Sequence, residues 1–470
     1  MTARFLWVLG LVVLAGCRPL PGHVKPCDPD ERTPPRKGLF VRQVVRDTVV
    51  ETTQHPLKEV RAFLSLPLDY GIAIQQLAMR RRLDWLIRRR APPIDPERPT
   101  LNPDALEEVL KKKTGSELQP GWVELYPTGE EALAALHQVI DLAACRIDIL
   151  MYLWDNDPLG WEVAHHLAAV AAPDRQVRIL IDGGANLSQG EPKEATSAEV
   201  QRVVCWLARQ PNIHLIRHRD PNFHFDHRKV VVVDGRVAWS GGRNFTYPAF
   251  FKDRDVSYTV IGPLACQMEE IFETYWQEQG GCPAPPLPPP PELPQHNVLA
   301  RLVETAPYQF DLEQAVYHAI DRACHHIYME NPYLTDNRIL LKLVNARRRG
   351  VDVRLVMTID DESQTINSSN KVSINRLIRS GVRVYLYPGM THAKTTVVDG
   401  VWAYVGTGNF DRLSLRHNHE QGLAIGYGPV IQELEERVFQ VDFNPEWEVK
   451  ERLPVTVRDY LRALVGSMLL

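Results

Sequence analysis

Three things are scarce in this 470-residue chain, and each scarcity excludes something. The most apolar stretch, Phe5 to Ala15, is only 11 residues long, too short to span a bilayer, so a polytopic membrane protein is excluded. There is no basic excess: 54 Lys and Arg face 58 Asp and Glu, a formal net charge of −4. A protein built mainly to coat nucleic acid usually shows such an excess. None of the seven cysteines forms a C-x-x-C pair and no acidic ligand cluster is visible, which argues against a zinc or other metal site. What remains is ordinary for a globular protein with a real core, at 44% apolar and 24% charged residues. That excludes a disordered or collagenous chain, and the length suggests two to four domains.

Two features are in surplus: 36 prolines and an odd cysteine count. The chain opens with Arg4, the apolar run, and then Leu14-Ala15-Gly16-Cys17. Small residues before a cysteine at the end of a signal-like run resemble the bacterial lipobox. The expectation is a signal peptide over 1–16 and lipidation of Cys17, which anchors an exported protein on the periplasmic face of the bacterial envelope. The alternatives are an ordinary secretory signal or a short hydrophobic start with no targeting role. Removal of Arg4 leaves 53 basic and 58 acidic side chains, and six cysteines besides Cys17 that an exported protein can oxidise.

Residues 17–120 form a Pro-rich and helical lead. One segment, about Leu66 to Arg90, has helical apolar spacing and six arginines, Arg80 to Arg82 and Arg88 to Arg90. It reads either as a helix lying on anionic headgroups or, the favoured reading, as a charged face on a helix docked to the next domain. From Gly121 the texture is α/β. Helices are predicted over Thr128–Ala143, Leu159–Ala171, Leu312–Ala323 and Arg338–Arg349, and strands over Arg146–Leu153, Val177–Asp182, Ile327–Glu330 and Val351–Thr358. Between the two α/β stretches, residues 283–294 hold eight prolines, the composition of a semi-rigid polyproline II linker. The expected organisation is one repeat over 121–282, a second over 295–448, and a mildly amphipathic tail over 449–470.

Self-comparison explains the two stretches. His227-Arg-Lys229-Val-Val-Val-Val-Asp234-Gly235 recurs 165 residues later as His392-Ala-Lys394-Thr-Thr-Val-Val-Asp399-Gly400. The match continues without a gap through Asn244 and Asn409, with ten of 19 positions identical, and Asp255 aligns with Glu420. With 16 His in 470 residues, chance would supply about 0.03 H-x-K-x4-D matches in the whole chain.

The apolar runs after each His read as strands, so His227 and Lys229 share a face, as do His392 and Lys394. The Asp-Gly pairs read as two-residue hairpin turns, which returns Asn244 and Asn409 beside the His and Lys. One half is an incomplete site. Two halves about a pseudo-twofold axis give two His, two Lys and two Asn, a set suited to a phosphodiester. Lysines and amides hold the non-bridging oxygens. One imidazole attacks phosphorus and the other protonates the leaving alkoxide, each reachable near an ordinary pKa of about 6.5. Asp255 and Glu420 accept a hydrogen bond from the far ring nitrogens. Asp234 and Asp399, in turns, support rather than react. No metal or cofactor is required.

These residues resemble the phospholipase D superfamily with its duplicated H-x-K-x4-D motif, and within it bacterial cardiolipin synthases. Met151-Tyr-Leu-Trp154, Gly241-Gly-Arg-Asn244, Asn331-Pro-Tyr333 and Gly389-Met-Thr-His-Ala-Lys394 carry the resemblance further, over about 121–448. It implies two α/β/α halves, each a mixed sheet flanked by helices, packed as an internal pseudo-dimer with one shared active site in a monomeric chain. It also implies a covalent phosphohistidine, with His227 as nucleophile and His392 as acid then base, or the reverse. The implied partner is a phospholipid such as phosphatidylglycerol. A nuclease of the same superfamily and a non-catalytic envelope lipoprotein are the alternatives. Arg217, Arg219, Arg228 and Arg243 are the local basic cluster a nuclease would use.

Overall fold

The computed structural model describes residues 75–76, 78–87, 91–95, 97–183, 202–218, 225–285, 287, 295–361 and 363–469. Cys17, the signal-like run and most of the Pro-rich linker lie outside the described residues. So do the residues before 75 in the Arg-rich segment.

Each half contributes seven strands in the same pattern, and the second adds a short extra one. The first half has β1 (Gln119–Tyr126), β2 (Arg146–Met151), β3 (Gln176–Asp182), β4 (Ile213–His218), β5 (Lys229–Val233), β6 (Val237–Gly241) and β7 (Ser257–Ile261). The second has β8 (Val298–Ala306), a two-residue β9 (Gln309–Phe310), β10 (His326–Glu330), β11 (Asp352–Met357), β12 (Arg383–Leu386), β13 (Thr395–Val398), β14 (Trp402–Gly406) and β15 (Glu420–Tyr427). All lie in one mixed sheet of order β12-β11-β10-β13-β14-β15-β8-β1-β7-β6-β5-β2-β3-β4, with β9 beside β8. Read outward from the centre, the two halves have the same order. The seam is an antiparallel pairing of β1 with β8, Gln119 opposite Ala300 to Gly121 opposite Val298. β2, β3 and β4 run parallel, as do β10, β11 and β12, and the connections between them carry the helices.

The two sheet faces are packed differently. Val231 and Val233 of β5 join a core private to the first half, and Val398 of β13 joins one private to the second. Their neighbours Val230, Val232 and Val397 point the other way, into a core that runs through both halves. The helices Pro263–Glu278 and Val430–Leu434 cover that shared face through Phe272, Trp276, Val430 and Leu434. Burial of one continuous apolar layer holds the halves together far more than three seam pairs could.

The predicted elements form with ends moved by a few residues, for identifiable reasons. The helix Gly129–Asp141 starts after Thr128 because Thr128 and Glu131 make a capping box. The helix Pro158–Val170 starts with proline behind an Asp157 cap. β2 stops at Met151, short of the predicted Leu153, because the next residues leave the sheet: Phe245 N–H donates to the Leu153 carbonyl at 3.1 Å. The described part of the Arg-rich segment is helical, and Leu83, Leu86 and Ile87 are buried in the second half's core. This is the docked reading. The tail forms a helix, Val457–Leu469, against the helix Gln364–Arg379. No helix among the described residues is long and apolar enough to cross a membrane.

The Asp-Gly turns are I′-type hairpins: Asp234 and Gly235 have φ of 52° and 62°, and Asp399 and Gly400 have 55° and 68°. Their carboxylates are structural pins. Asp234 accepts from the N–H groups of Ala144, Cys145 and Arg146 at 2.7–2.9 Å. Asp399 accepts from Cys324, His325 and His326 at 2.8–3.0 Å, and from Leu101 at 2.7 Å. Each ties the entry of the neighbouring strand, β2 or β10, to the motif hairpin. Replacing either with Ala strands three or more donors, so Asp234→Ala and Asp399→Ala should each cost about 3 kcal/mol. The change is read from the urea midpoint; losses under about 0.5 kcal/mol would contradict the pinning role.

Candidate active site

The segments that lead into the motif strands are paired across the seam through the backbone. His227 N–H donates to the His419 carbonyl at 2.9 Å, and His419 N–H donates back to Phe225 at 2.9 Å. The mirror-related pair is His392 N–H to the Arg254 carbonyl at 2.6 Å and Arg254 N–H to Met390 at 3.0 Å. Each histidine segment is therefore stitched to the segment that carries the other half's acid.

The side chains follow the same crossing. His227 Nδ1 lies 3.0 Å from both Glu420 carboxylate oxygens, and His392 Nδ1 lies 2.9 Å from Asp255 Oδ2. With the proton on Nδ1 as donor, each ring leaves its Nε2 lone pair for chemistry. Both acids are fully buried. The spacing of each acid after its own His pointed to these residues, but it could not show that each serves the opposite half.

Lys229 and Lys394 sit one pleat along. Each Nζ donates to the carbonyl of its own motif histidine, at 2.7 and 2.5 Å. Lys229 also lies 4.6 Å from the Tyr152 ring centre, and Tyr152 meets His227 edge-on at 4.6 Å. Tyr152 is a site residue the motif search missed; it belongs to the Met151–Trp154 segment quoted only for resemblance.

Asn244 and Asn409 follow β6 and β14, whose register against β5 and β13 carries them past the lysine ends. Among the described residues, the Oδ1 atoms of both amides are buried without a hydrogen-bond partner. Asp234 and Asp399 lie at the far ends of β5 and β13, beyond Val233 and Val398 and away from the histidines. Two members of the basic cluster, Arg228 and Arg243, do not line an open groove. Arg228 is buried, paired with Asp226 and stacked on Tyr275, and Arg243 is buried against the Asp255 carbonyl. Arg219 lies outside the described residues. Cys145, Cys266, Cys282 and Cys324 form no disulfide, whereas Cys205 is disulfide-bonded.

Burial governs the charges. It pushes His227 well below its usual range, helped by Lys229 and Lys394, and it pushes His392 down to about 3 with Lys394 the next cause. The expectation of ordinary imidazoles near 6.5 is thus corrected: both rest neutral. Burial also lowers Lys229 well below its usual value and Lys394 to about 8. Glu420 is raised by burial to about 7. Asp255 differs: burial raises it, but Lys394 and the His392 hydrogen bond outweigh that and hold it low. Asp253, unremarked in the sequence, is raised by burial to about 6 with Asp255 beside it.

The two acid pockets are not identical. Gly242 faces Asp255 so closely that a Cβ there would stand 2.3 Å from Oδ1. The aligned residue in the second half is Thr407, whose hydroxyl donates to Glu420 at 2.5 Å. Because His392 rests neutral, its ring signals in a heteronuclear NMR titration of the free protein should stay flat from pH 8 to pH 4. A midpoint between 6 and 7 would overturn this account of the site.

Comparison with known proteins agrees with this geometry. The family model described as "Cardiolipin synthase, PLD-like domain" matches residues 136–276 and 316–441, more than half of the chain. The chain is 27% identical over 326 residues to cardiolipin synthase A of Escherichia fergusonii, covering 65% of this chain and 66% of that protein. The match to cardiolipin synthase A of Pectobacterium carotovorum is 27% over 353 residues, 69% of this chain and 70% of the relative. The chain thus spans just under two thirds of the length of the first of these relatives. A phosphatidylserine synthase from Haemophilus influenzae Rd KW20 shares the fold, with a TM-score of 0.57 at 17% identity over 78% of this chain and all of that one. With the duplicated motif, the mirrored sheet and the crossed histidine–carboxylate pairs in place, the chain belongs to the cardiolipin synthase, PLD-like domain family.

Proposed function

We propose that this protein is a phospholipid phosphodiesterase of the phosphatidyltransferase type, working through a covalent phosphohistidine. The observation that carries the reading is the pair of neutral imidazoles, each backed by the opposite half's carboxylate, with a buried lysine beside each. The substrate class is a phospholipid such as phosphatidylglycerol, by likeness to the cardiolipin synthases.

In the first step His227 Nε2 attacks phosphorus: the P–N bond forms, the P–O bond to the leaving alcohol breaks, and that oxygen takes a proton from His392. His392 needs a second proton for this. The bound phosphodiester supplies the reason to hold one, because its negative charge opposes the lysine fields that depress the ring. The asymmetry of the acids favours this assignment. Asp255, held ionised, stabilises an imidazolium at His392. Glu420, raised by burial to about 7, holds a proton on His227 less strongly, which keeps Nε2 unprotonated for attack; the ring becomes cationic only when Nε2 bonds phosphorus. In the second step His392 takes a proton from an alcohol or water, whose oxygen displaces His227 from phosphorus. The lysines and amides hold the non-bridging oxygens, and the incoming charge restores any proton the lysines have lost.

Incubation of labelled phosphatidylglycerol with the wild type should yield transfer product with an alcohol acceptor and hydrolysis without one. His227→Ala and His392→Ala should each lose at least about a thousandfold in turnover. His392→Ala, which keeps the nucleophile, should accumulate acid-labile label on the protein, and His227→Ala should not. Full turnover in either variant would break the shared-site mechanism, and label on His227→Ala would reverse the roles.

We further propose that Cys17 carries the lipid anchor and holds the site at a membrane of the cell envelope. The lipobox-like sequence supports this, since anchoring places a phospholipid enzyme at its substrate. Cys17→Ser should move the protein from the membrane to the soluble fraction; unchanged partitioning would remove the anchor from the scheme.

A further inference from the structure

The proposed reaction gives His392 two jobs, to release a proton and later to take one, so its imidazole must keep one pose through both. The single hydrogen bond to Asp255 does not fix that pose, because two side chains joined at one point can swing together. Each member of the couple has a polar chain neighbour: Thr391 precedes His392, and Arg254 precedes Asp255. Those two neighbours are joined by further contacts. Arg254 Nε donates to Asp442 Oδ2 at 2.8 Å. The Asp442 carboxyl group faces that of Glu330. The Thr391 hydroxyl donates to Glu330 Oε1. The contacts thus close a circuit that runs from Asp255 through Arg254, Asp442, Glu330 and Thr391 to His392, and back to Asp255 at 2.9 Å. We propose that Arg254, Asp442, Glu330 and Thr391 are positioning residues that fix the His392 imidazole for phosphoryl transfer; this rests on the functional reading above.

The circuit is dry. Thr391 and Glu330 are fully buried, and Asp442 is 2% exposed. Two carboxyl groups facing each other in such a place cannot both stay ionised, so one keeps a proton and donates it to the other. Glu330 is the one that keeps it. Burial, and then Asp442, push Glu330 well above the usual carboxylate range, whereas Asp442 has the Arg254 guanidinium as partner. The proton also accounts for Glu330 Oε2, a buried atom to which no group among the described residues donates. As an O–H it donates to Asp442, and every link of the circuit then has a donor and an acceptor.

Arg254 ties the circuit to both halves. Its Nη1 donates to the Pro127 carbonyl of the first half, while Asp442 belongs to the second. The His227 couple is built otherwise. In the repeat, Asp226 stands at the place of Thr391 and His419 at the place of Arg254. Asp226 pairs with Arg228, and the His419 ring lies 4.9 Å from that of Tyr275. The carboxyl circuit therefore serves the couple assigned to proton transfer.

The test reads pose and turnover separately in the full chain. In wild type the Nδ1–H protons of His227 and His392 should both give downfield, slowly exchanging NMR resonances. Thr391→Val, which keeps the shape and removes the hydroxyl, and Glu330→Ala should each broaden or lose the His392 resonance and leave that of His227 in place. With phosphatidylglycerol, kcat should fall about tenfold in Thr391→Val and about a hundredfold in Glu330→Ala, with KM within about threefold of wild type. Glu330→Gln should restore both readouts, because its amide accepts from Thr391 and donates to Asp442 as the protonated carboxyl does. An unchanged His392 resonance in Thr391→Val and Glu330→Ala would overturn the proposal. So would loss of both histidine resonances together, which marks general loosening, or a Glu330→Gln as damaged as Glu330→Ala. If wild type fails to turn over phosphatidylglycerol, the functional reading falls, and the two resonances still decide whether the circuit sets the pose of His392.

Discussion

Everything in the centre of this molecule depends on the crossing of two hydrogen bonds, His227 to Glu420 and His392 to Asp255. Neither half can orient its own imidazole. A free half would hold a histidine with no carboxylate on Nδ1 and a buried carboxylate with no donor. Both are costly in a dry interior, so the halves must assemble before either motif is worth burying. The reciprocal backbone pairs at Phe225–His419 and Met390–Arg254 fix the crossing to within a hydrogen-bond length. The shared apolar layer beneath supplies the affinity that these polar contacts cannot.

The same burial that orders the site makes it hungry for charge. Two lysines and two histidines are kept out of water beside two carboxylates, and burial shifts every one of the cations toward neutrality. A phosphodiester enters as the missing counter-charge. Binding and protonation are thereby coupled: the anion that is to be cleaved also raises the acid that cleaves it. An open, solvated arrangement of the same residues would lack that coupling, because water would screen the lysines and leave each imidazole near its ordinary value.

Much of this was legible in the residues. The repeat of His227, Lys229, Asn244 and Asp255 at an offset of 165 predicted a duplicated fold with one shared site, and the mirrored sheet has that form. The Asp-Gly hairpins and the supporting place of Asp234 and Asp399 followed from turn chemistry. Three things were not legible, each for the same physical reason: a one-dimensional pattern records spacing along the chain and not what folding buries or brings together. The exchange of acids is one. The depressed histidines are another, since burial is a property of the assembled cleft. Arg228 and Arg243 are the third: a cluster along the chain that the fold spends on Asp226 and on a backbone carbonyl. Tyr152 was in view but unassigned, because nothing in the sequence brings its ring against Lys229 and His227.

Gly242 and Thr407 occupy the same place in the two halves, one facing a short acid and the other a long one. The extra methylene of Glu420 reaches past the threonine; the bare backbone of Gly242 makes room for Asp255. The acid and the residue facing it thus form an interlocked couple, and the two couples are of different make. Exchanging the acids alone would jam one pocket and leave a gap in the other. A change of acid in either copy therefore demands a matching change in the residue that faces it, so the two copies are not interchangeable where they meet.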